Sequence, residues 1–246
     1  MTQKICRHIF ICFYIFNKYL LHGLSLTDSL LICKSSLITL SEIISYTEKD
    51  FNIYVSQYIQ VILNILSNNK IVKELKPFCL RIISDLFISC RQEIFKYFKE
   101  IMKMIGGAVQ VCQMDFRNEM DSTDFYNYII ELKDAVLETL GCIFNATVEE
   151  EKTNEFIPYA KGVVEFINNL LREEGQLNID IIRNSIGIIA DYCKVYGKDI
   201  KPILNSQLLK DSIEKFKNSE EIIDNEQMIQ FISWAQNVIS KVLISN

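Results

Sequence analysis

The chain has few of the residues that interrupt regular secondary structure. Its 246 residues include only 3 Pro and 8 Gly. An all-β sandwich needs a turn signal about every 8–12 residues, so this scarcity argues against that class of fold. Hydrophobic residues make up 49% of the sequence and charged residues 23%, which is enough apolar material for a substantial core. The length allows one or two ordinary domains, or one short superhelix.

The sequence also lacks the residues from which most active sites are built. It contains only two histidines, His8 and His22, and neither has the spacing of a metal ligand. No G-x-x-x-x-G-K-[ST], G-x-G-x-x-G, H-E-x-x-H or G-x-S-x-G motif occurs. We therefore predict that the protein is not an enzyme, with no catalytic residues, no metal site and no cofactor.

The eight cysteines form no C-x-x-C pair. A disulfide scaffold is typical of shorter chains with a smaller apolar core. We therefore expect free, mostly buried thiols in a reducing compartment.

Charge and hydropathy narrow the classes of partner. The net charge of −5 disfavours sequence-independent binding of nucleic acid, which depends on Lys and Arg neutralising phosphates, and it suits a basic partner. The apolar stretch Ile9–Phe16 is far shorter than the ~20 residues that span a bilayer, so we predict no membrane insertion. A signal sequence or anchor at Ile9–Phe16 is the alternative, and we treat residues 1–15 as an uncertain N-terminal edge.

Four apolar blocks read alike and recur about every 40–50 residues, the period of paired-helix solenoids of the HEAT type. They are Leu37–Ile44, Leu80–Phe87, Ala135–Phe144 and Ser185–Tyr192. A second amphipathic stretch follows each block. Since no low-complexity linker divides the chain, we predict one array over residues 1–246. The expected fold is all-α, a right-handed α-solenoid superhelix of about four helix pairs with half-repeats at both ends.

Apolar spacing and turn residues predict the individual helices. The predicted helices are Ile9–Leu26, Asp28–Tyr46, Asp50–Ser67, Lys73–Cys90, Glu93–Cys112, one from about Asp124 to Val148, Phe156–Leu171, Ile179–Tyr196, Ile200–Phe216 and Glu226–Ile244. Pro77 and Pro158 are both expected in a first helical turn, where a missing N–H is harmless. Gly106 and Gly107 are expected to mark a kink or an early stop.

Acidic residues hold similar places in three of the repeats. These residues are Glu42, Asp85 and Asp191. They fit a ladder in which a carboxylate accepts hydrogen bonds from the neighbouring repeat, and the alternative is a set of carboxylates that binds a partner.

Several segments, in one order, resemble the C-terminal part of the importin-β (karyopherin-β) family of nuclear import receptors. The resemblance covers about Leu75–Val242 and extends more loosely to Phe16. Its residues are Leu75–Pro77, Glu93–Phe98, Asp124–Asp134, Val164–Ile167, Gly187–Cys193, Tyr196–Asp199 and Ser233–Ala235.

The resemblance implies a superhelix of HEAT repeats with the first helix of each pair outside and the second inside. The family wraps the basic importin-β-binding segment of importin-α, or a basic cargo segment, on its inner face. It takes Phe-Gly repeats of nucleoporins on its outer face and acts in the cytoplasm, the nucleus and the nuclear pore. Ran binds mainly through repeats that this chain does not include.

Candidate contact residues follow from the resemblance. For the basic segment they are Trp234, Glu165, Glu173, Asp211 and Glu214. Trp234 corresponds to a tryptophan in the family's terminal repeat, whereas the sequence alone favours a tryptophan that seals the end of the core.

For Phe-Gly repeats the candidates are Leu31, Phe78 and Phe87, which fit by residue type, with packing between repeats as the alternative. The competing function is a general HEAT-repeat scaffold or regulatory subunit with a different partner.

Overall fold

The computed structural model describes residues 16–114, 123–173, 178–219, 222 and 225–244. Helices are the only regular secondary structure among them. The chain divides into two compact units, Met1–Ala146 and Thr147–Asn246, which we describe separately.

The first unit is built from helices joined by short 3-10 segments. A first helix, α1, covers residues 16–25, and most of the last helix, α7, also belongs to this unit. The remaining bounds are α2 Leu30–Thr47, α3 Val55–Ser67, α4 Lys76–Ser89, α5 Arg91–Ile94, α6 Phe98–Cys112 and α7 Thr123–Glu149. The 3-10 segments are Glu48–Tyr54, Lys73–Leu75 and Phe95–Tyr97.

The second unit continues the same pattern. Its helices are α8 Thr153–Arg172, α9 Ile179–Tyr196, α10 Ser206–Lys217 and α11 Glu226–Ile244, with a 3-10 segment at Gly197–Ile203. The side chain of Asn178 caps α9 by accepting a hydrogen bond from the Asp180 N–H, and Asn205 caps α10 by accepting from the Leu208 N–H.

Each unit has two layers of helices. In the first unit, α2, α4 and α7 form a first layer, and α3 and α6, which contact each other, form the second. In the second unit, α9 and α11 form the first layer, and α8 and α10 the second. Within the units, the pairs α2–α3, α4–α6 and α9–α10 therefore each contribute their first helix to one layer and their second helix to the other, as the repeat predicts.

Most predicted helices are observed, but three second-layer helices begin later than predicted. One of them, predicted from Glu93, is interrupted by the 3-10 segment Phe95–Tyr97, and α6 begins at Phe98. The other two also begin after 3-10 segments. The residues predicted to start them, Asp50 and Ile200, lie in seven-residue 3-10 segments, and the helices begin at Val55 and Ser206. At the second of these corners, Pro202 has no N–H to donate, and the Asn205 cap sets the new start.

The prediction for one proline was wrong, and of the two alternatives for the glycine pair, a kink or an early stop, the early stop was wrong. Helix α8 begins at Thr153, so Pro158 lies inside the helix and not in its first turn. Helix α6 runs through Gly106 and Gly107 to Cys112, so the pair does not stop it early. Pro77 lies at the start of α4, as predicted.

The prediction of free thiols is confirmed for the six cysteines that the structure describes. Five of them, Cys33, Cys79, Cys90, Cys112 and Cys193, are buried, and Cys142 is partly exposed. Burial raises the pKa of Cys90 and of Cys193 to about 12. Burial, followed by the nearby Glu138 carboxylate, raises the pKa of Cys142 to about 11.

By length and composition alone, the stretch Leu30–Ser67 is apolar enough to cross a membrane. Within it, α2 and α3 both pack on α4 and bury residues such as Leu37, Leu40 and Ile62 in the core of the first unit. That packing accounts for only part of the apolar composition, because 28% of the most apolar window is buried.

Two corners between the layers have the same unusual backbone. Helix α2 is followed by Glu48 with φ +46°, and α9 is followed by Gly197 with φ +55°. In both, the N–H of this residue donates to a carbonyl in the last turn, that of Ile44 or of Cys193. Glycine adopts positive φ without steric cost, whereas a glutamate held there is strained by about 1–3 kcal/mol.

We therefore expect opposite effects on stability at the two corners. Glu48→Gly should raise the free energy of unfolding by about 1 kcal/mol, because relief of strain outweighs the entropy that glycine adds to the unfolded chain. Gly197→Ala should lower it by about 1–3 kcal/mol, although the space around Gly197 is open. Urea denaturation measures both changes.

The control is Glu48→Gln, which removes the charge but keeps the side chain. It should leave stability close to that of the unmodified chain. A loss of stability in Glu48→Gly would show that the backbone at this corner is not strained.

Candidate protein-binding surfaces

The first-layer helices α2 and α4 lie side by side in a fixed register. The Lys34 ammonium lies over the Phe78 ring, 4.6 Å from its centroid. Two helical turns further on, the Ser41 hydroxyl donates to Oδ2 of Asp85 at 2.6 Å. Both contacts join residues 44 positions apart, so the two helices run parallel and their N-terminal ends lie at the same end of the layer.

The side chains around the first contact form one exposed strip, which we call the α2–α4 surface. It comprises Leu31, Lys34 and Ile38 of α2 with Phe78 and Arg81 of α4. The three α2 residues are spaced by three and four positions and therefore share one helical face. Leu31 is 77% exposed and Ile38 is 46% exposed, so the strip presents apolar area to solvent.

Polar contacts also join α4 to α7. The Arg81 guanidinium lies 3.3 Å from Oδ2 of Asp134 and 3.5 Å from Oε2 of Glu138. The hydroxyls of Ser84 and Thr139 are 3.1 Å apart and fully screened from solvent. Together with the Ser41–Asp85 bond, these contacts form a polar ladder across three first-layer helices.

The predicted ladder of carboxylates is therefore found at Asp85, whereas Glu42 is exposed. Burial raises the pKa of the Asp85 carboxyl. The Ser41 hydrogen bond opposes this shift, and the negative charges of Glu138 and Glu42 add to it. Burial also raises the pKa of Asp191, with Lys194 opposing the shift.

The three residues predicted for Phe-Gly binding have different environments. Leu31 is the most exposed of them, and Phe78 is half-buried beneath Lys34. Phe87 is fully buried and packs edge to face against Phe95 with ring centroids 5.3 Å apart. Phe87 is thus a core residue, and its inclusion as a contact residue was wrong.

Sequence reasoning missed Lys34 and Ile38, which lie beside Leu31 on the α2–α4 surface. Their spacing of three and four positions from Leu31 was a usable signal. It required the phase of α2, meaning which face of the helix the core covers, and the repeat pattern alone did not supply that.

In the second unit, the acidic residues predicted to meet a basic partner are exposed on or beside α8 and α10. Glu165 lies 3.8 Å from Lys161 on its own helix, and Asp211 accepts a hydrogen bond from Gln207. Glu173 and Glu214 are also exposed.

These carboxylates do not form an acidic surface. The exposed charged residues of the two helices and of the residue after α8 are Glu155, Lys161, Glu165, Arg172, Glu173, Lys210, Asp211, Glu214, Lys215 and Lys217. Five of the side chains are acidic and five basic, so their charges balance. A basic partner would meet individual carboxylates here and not a net negative field.

Trp234 packs on a core neighbour and is also partly exposed to solvent. Its ring centroid lies 5.8 Å from that of Phe231, and the Phe231 ring in turn lies against Gly187 of α9. Trp234 is nevertheless 38% exposed to solvent. The indole is thus anchored in the first layer and still available to a partner.

The fold and these surfaces define a class of protein. The described residues contain no group of three or more His, Cys, Asp or Glu placed to hold a metal ion. They do contain two layers of paired helices with exposed apolar and aromatic contact surfaces. This arrangement is that of a helical-repeat protein.

Comparison with known proteins identifies the family. The family described as "Importin subunit beta-1-like, TPR repeats" matches residues 9–217, so the chain belongs to the importin-β family, as the sequence predicted. Importin subunit beta-1 of Arabidopsis thaliana is 20% identical over 228 residues, which cover 93% of this chain and 25% of that protein. Its namesake in Saccharomyces cerevisiae is 23% identical over 207 residues, covering 83% and 23%. The chain spans about a quarter of the length of these relatives.

Solved structures confirm the all-α solenoid fold of HEAT repeats. Importin beta crystallised in an ammonium sulfate condition has a TM-score of 0.80 at 16% identity, covering 95% of this chain and 26% of that one. The Kap95:Nup1 complex has a TM-score of 0.80 at 20% identity, covering 94% and 26%.

The raised pKa of Asp85 makes its charge unfavourable in the folded state. We expect Asp85→Asn to raise the midpoint of thermal unfolding at pH 7, since the amide oxygen still accepts from Ser41 while the buried charge is removed. A carboxyl whose folded pKa is raised costs stability above that pKa, and the cost disappears as the pH falls below its unfolded value. The advantage of the variant should therefore shrink as the pH is lowered from 7 to 4.

Thermal unfolding followed by circular dichroism across that pH range measures this effect. Asp28→Asn, at an exposed position, is the control and should show no such trend. An Asp85→Asn variant that is less stable at pH 7 would contradict the assignment.

Proposed function

We propose that this chain acts in nuclear protein import, as part of a receptor of the importin-β type with two binding surfaces. Phe-Gly segments of nucleoporins bind the α2–α4 surface, and a basic segment of importin-α or of a cargo binds the Trp234 indole on α11 together with the exposed carboxylates on or beside α8 and α10. The observation that carries the proposal is the exposure of Leu31 and Ile38 beside the half-buried Phe78 on adjacent first-layer helices.

The α2–α4 surface has the chemistry that an aromatic side chain needs. Leu31 and Ile38 offer apolar area, and Phe78 adds a half-buried aromatic ring on the neighbouring helix. Burial of one phenylalanine side chain against such area contributes about 1.5–3 kcal/mol. The Kap95:Nup1 complex, which shares this fold over most of the chain, supports a nucleoporin as the partner.

The second surface suits a basic helix that makes many separate contacts. An exposed indole attracts Lys or Arg by about 0.5–1 kcal/mol, and each exposed carboxylate adds about 0–1 kcal/mol. Because the surrounding charges balance, we expect Trp234 to contribute more than any one of Glu165, Glu173, Asp211 or Glu214.

Such a receptor would work in the cytoplasm, in the nucleus and at the nuclear pore. We infer that Ran acts on it mainly through repeats that this chain does not include. A general HEAT-repeat scaffold remains the alternative function. It differs in one measurable property, because a scaffold has no need to bind Phe-Gly segments.

Substitution on the α2–α4 surface tests the first binding surface. The double variant Leu31→Ser/Ile38→Ser should weaken binding of a fluorescent Phe-Gly repeat peptide about tenfold, since it removes two apolar contacts of the ring. Fluorescence anisotropy measures the affinity. Ile157→Ser, at a similarly exposed isoleucine of α8, is the matched control and should bind normally. A folded chain that does not bind the peptide would favour the scaffold alternative.

Substitution of the tryptophan tests the second binding surface. Trp234→Ala should weaken binding of a basic importin-β-binding peptide about two- to fivefold, and Asp211→Asn or Glu214→Gln alone should cost less. Titration calorimetry at two salt concentrations measures both. Tyr126→Ala, at an aromatic residue of comparable exposure in the first unit, is the control. Equal affinity with and without Trp234 would rule this surface out.

A further inference from the structure

The α2–α4 surface is charged unevenly along its length, and this feature is independent of its apolar area. At one end, Lys34 has its ammonium on the Phe78 ring, and no ion pair is found for it within the described part of the chain. At the other end are two carboxylates, Glu42 and Asp85, about two turns further along the helices. Two acidic residues, Asp28 and Glu74, precede α2 and α4 at the Lys34 end, so the difference in charge along the strip rests on Lys34 itself.

The cation next to Lys34 does not change this picture. Arg81 also approaches the Phe78 ring, with its guanidinium carbon 5.9 Å from the centroid. Its charge is directed toward α7, where Asp134 and Glu138 both lie within ion-pair distance. Lys34 is thus the cation on this strip that is left for a partner.

Backbone dipoles strengthen the same polarity. Helices α2 and α4 are parallel and begin at Leu30 and Lys76, which places both N-termini at the Lys34 end. The N-terminus of a helix carries a partial positive charge and favours anionic groups nearby. A carboxylate bound at this end would meet the Lys34 ammonium, near two helix N-termini that Asp28 and Glu74 already flank, while a carboxylate at the other end would meet Glu42 and Asp85.

Contact with Phe78 does not prevent Lys34 from binding a ligand. The ammonium has three N–H donors, and a ring beneath it occupies only the side that faces the ring. Lys34 is exposed, so its remaining donors point to solvent. An incoming aromatic side chain on Leu31 and Ile38 would lie one helical turn or less from this ammonium.

We propose that the α2–α4 surface selects, among Phe-Gly segments, those that carry an acidic residue next to the aromatic one. The ring lies on Leu31, Ile38 and Phe78, and the neighbouring carboxylate binds the Lys34 ammonium. The inference rests on the proposed function, because it specifies which segments of that class the surface prefers.

Three peptides of equal length test the preference. Each has the same Phe-Gly core and is flanked by Glu, by Gln or by Lys. For the unmodified chain at low salt, affinity should fall in the order Glu, Gln, Lys, by about two- to fivefold at each step, as expected for exposed charge pairs. The differences should shrink at high salt, while the affinity of the Gln peptide stays nearly constant.

Substitutions at Lys34 separate its charge from its stem. Lys34→Glu should reverse the order of the three peptides. Lys34→Met keeps an apolar stem, so it should abolish the charge preference and retain binding of the Gln peptide. Lys99→Glu, an exposed position on α6, changes the net charge equally and should leave the order intact.

The outcomes distinguish this inference from the proposed function. If Leu31→Ser/Ile38→Ser weakens the Gln peptide but the flanking charges have no effect, the charge selection is wrong and the binding surface stands. If Lys99→Glu reverses the order as well, net charge governs binding and the role of Lys34 is wrong.

Two results would overturn both proposals. One is affinity for all three peptides that does not depend on Leu31 and Ile38. The other is a dimer, detected by sedimentation, that the same double variant dissociates and that the peptides do not disturb. That dimer would identify a second copy of the chain as the occupant of this surface.

Discussion

The packing of α4 is the constraint on which the first unit depends. This helix is apolar on nearly every side, and it buries residues such as Leu80, Ile83 and Leu86. Helices α2, α3 and α7 all lie against it. No one of these neighbours can bury its own apolar face alone, so each takes its position from α4. The core-facing sides of α2 and α4 are buried against other helices, so the residues of the α2–α4 surface are left facing solvent.

Burial alone would not fix how far one helix slides along another, because the hydrophobic effect has no direction. Hydrogen bonds do have direction, and the polar ladder supplies them at defined positions. The Ser41–Asp85 bond sets α2 against α4, and the Ser84–Thr139 contact sets α4 against α7. The register that brings Lys34 over Phe78 follows from the first of these. The charge of the partly buried Asp85 carboxylate costs stability, but its hydrogen bond fixes how α2 aligns with α4.

The helices and their order were predictable from the sequence because the apolar spacing in each repeat has one dominant period. Helix starts were less predictable where a corner adopts 3-10 geometry, as before Val55 and Ser206. Exposure of single residues was hardest, since it depends on the phase of a helix against several neighbours. Phe87 and Leu31 look equally suitable in the sequence, yet one is fully buried and the other mostly exposed. The balanced charge around Glu165 and Asp211 could likewise be found only once the exposed basic residues of the same helices were known.

Burial of the thiols has a consequence for the chemistry of the chain under oxidising conditions. A thiol with a pKa of about 12, as at Cys90 and Cys193, is ionised at pH 7 in only about one molecule in 100,000, against a few per cent for an ordinary cysteine. Peroxides and disulfides react with the thiolate, so these side chains are poor targets even before access is considered. We therefore expect oxidants to modify these thiols only slowly, although the chain is rich in cysteine.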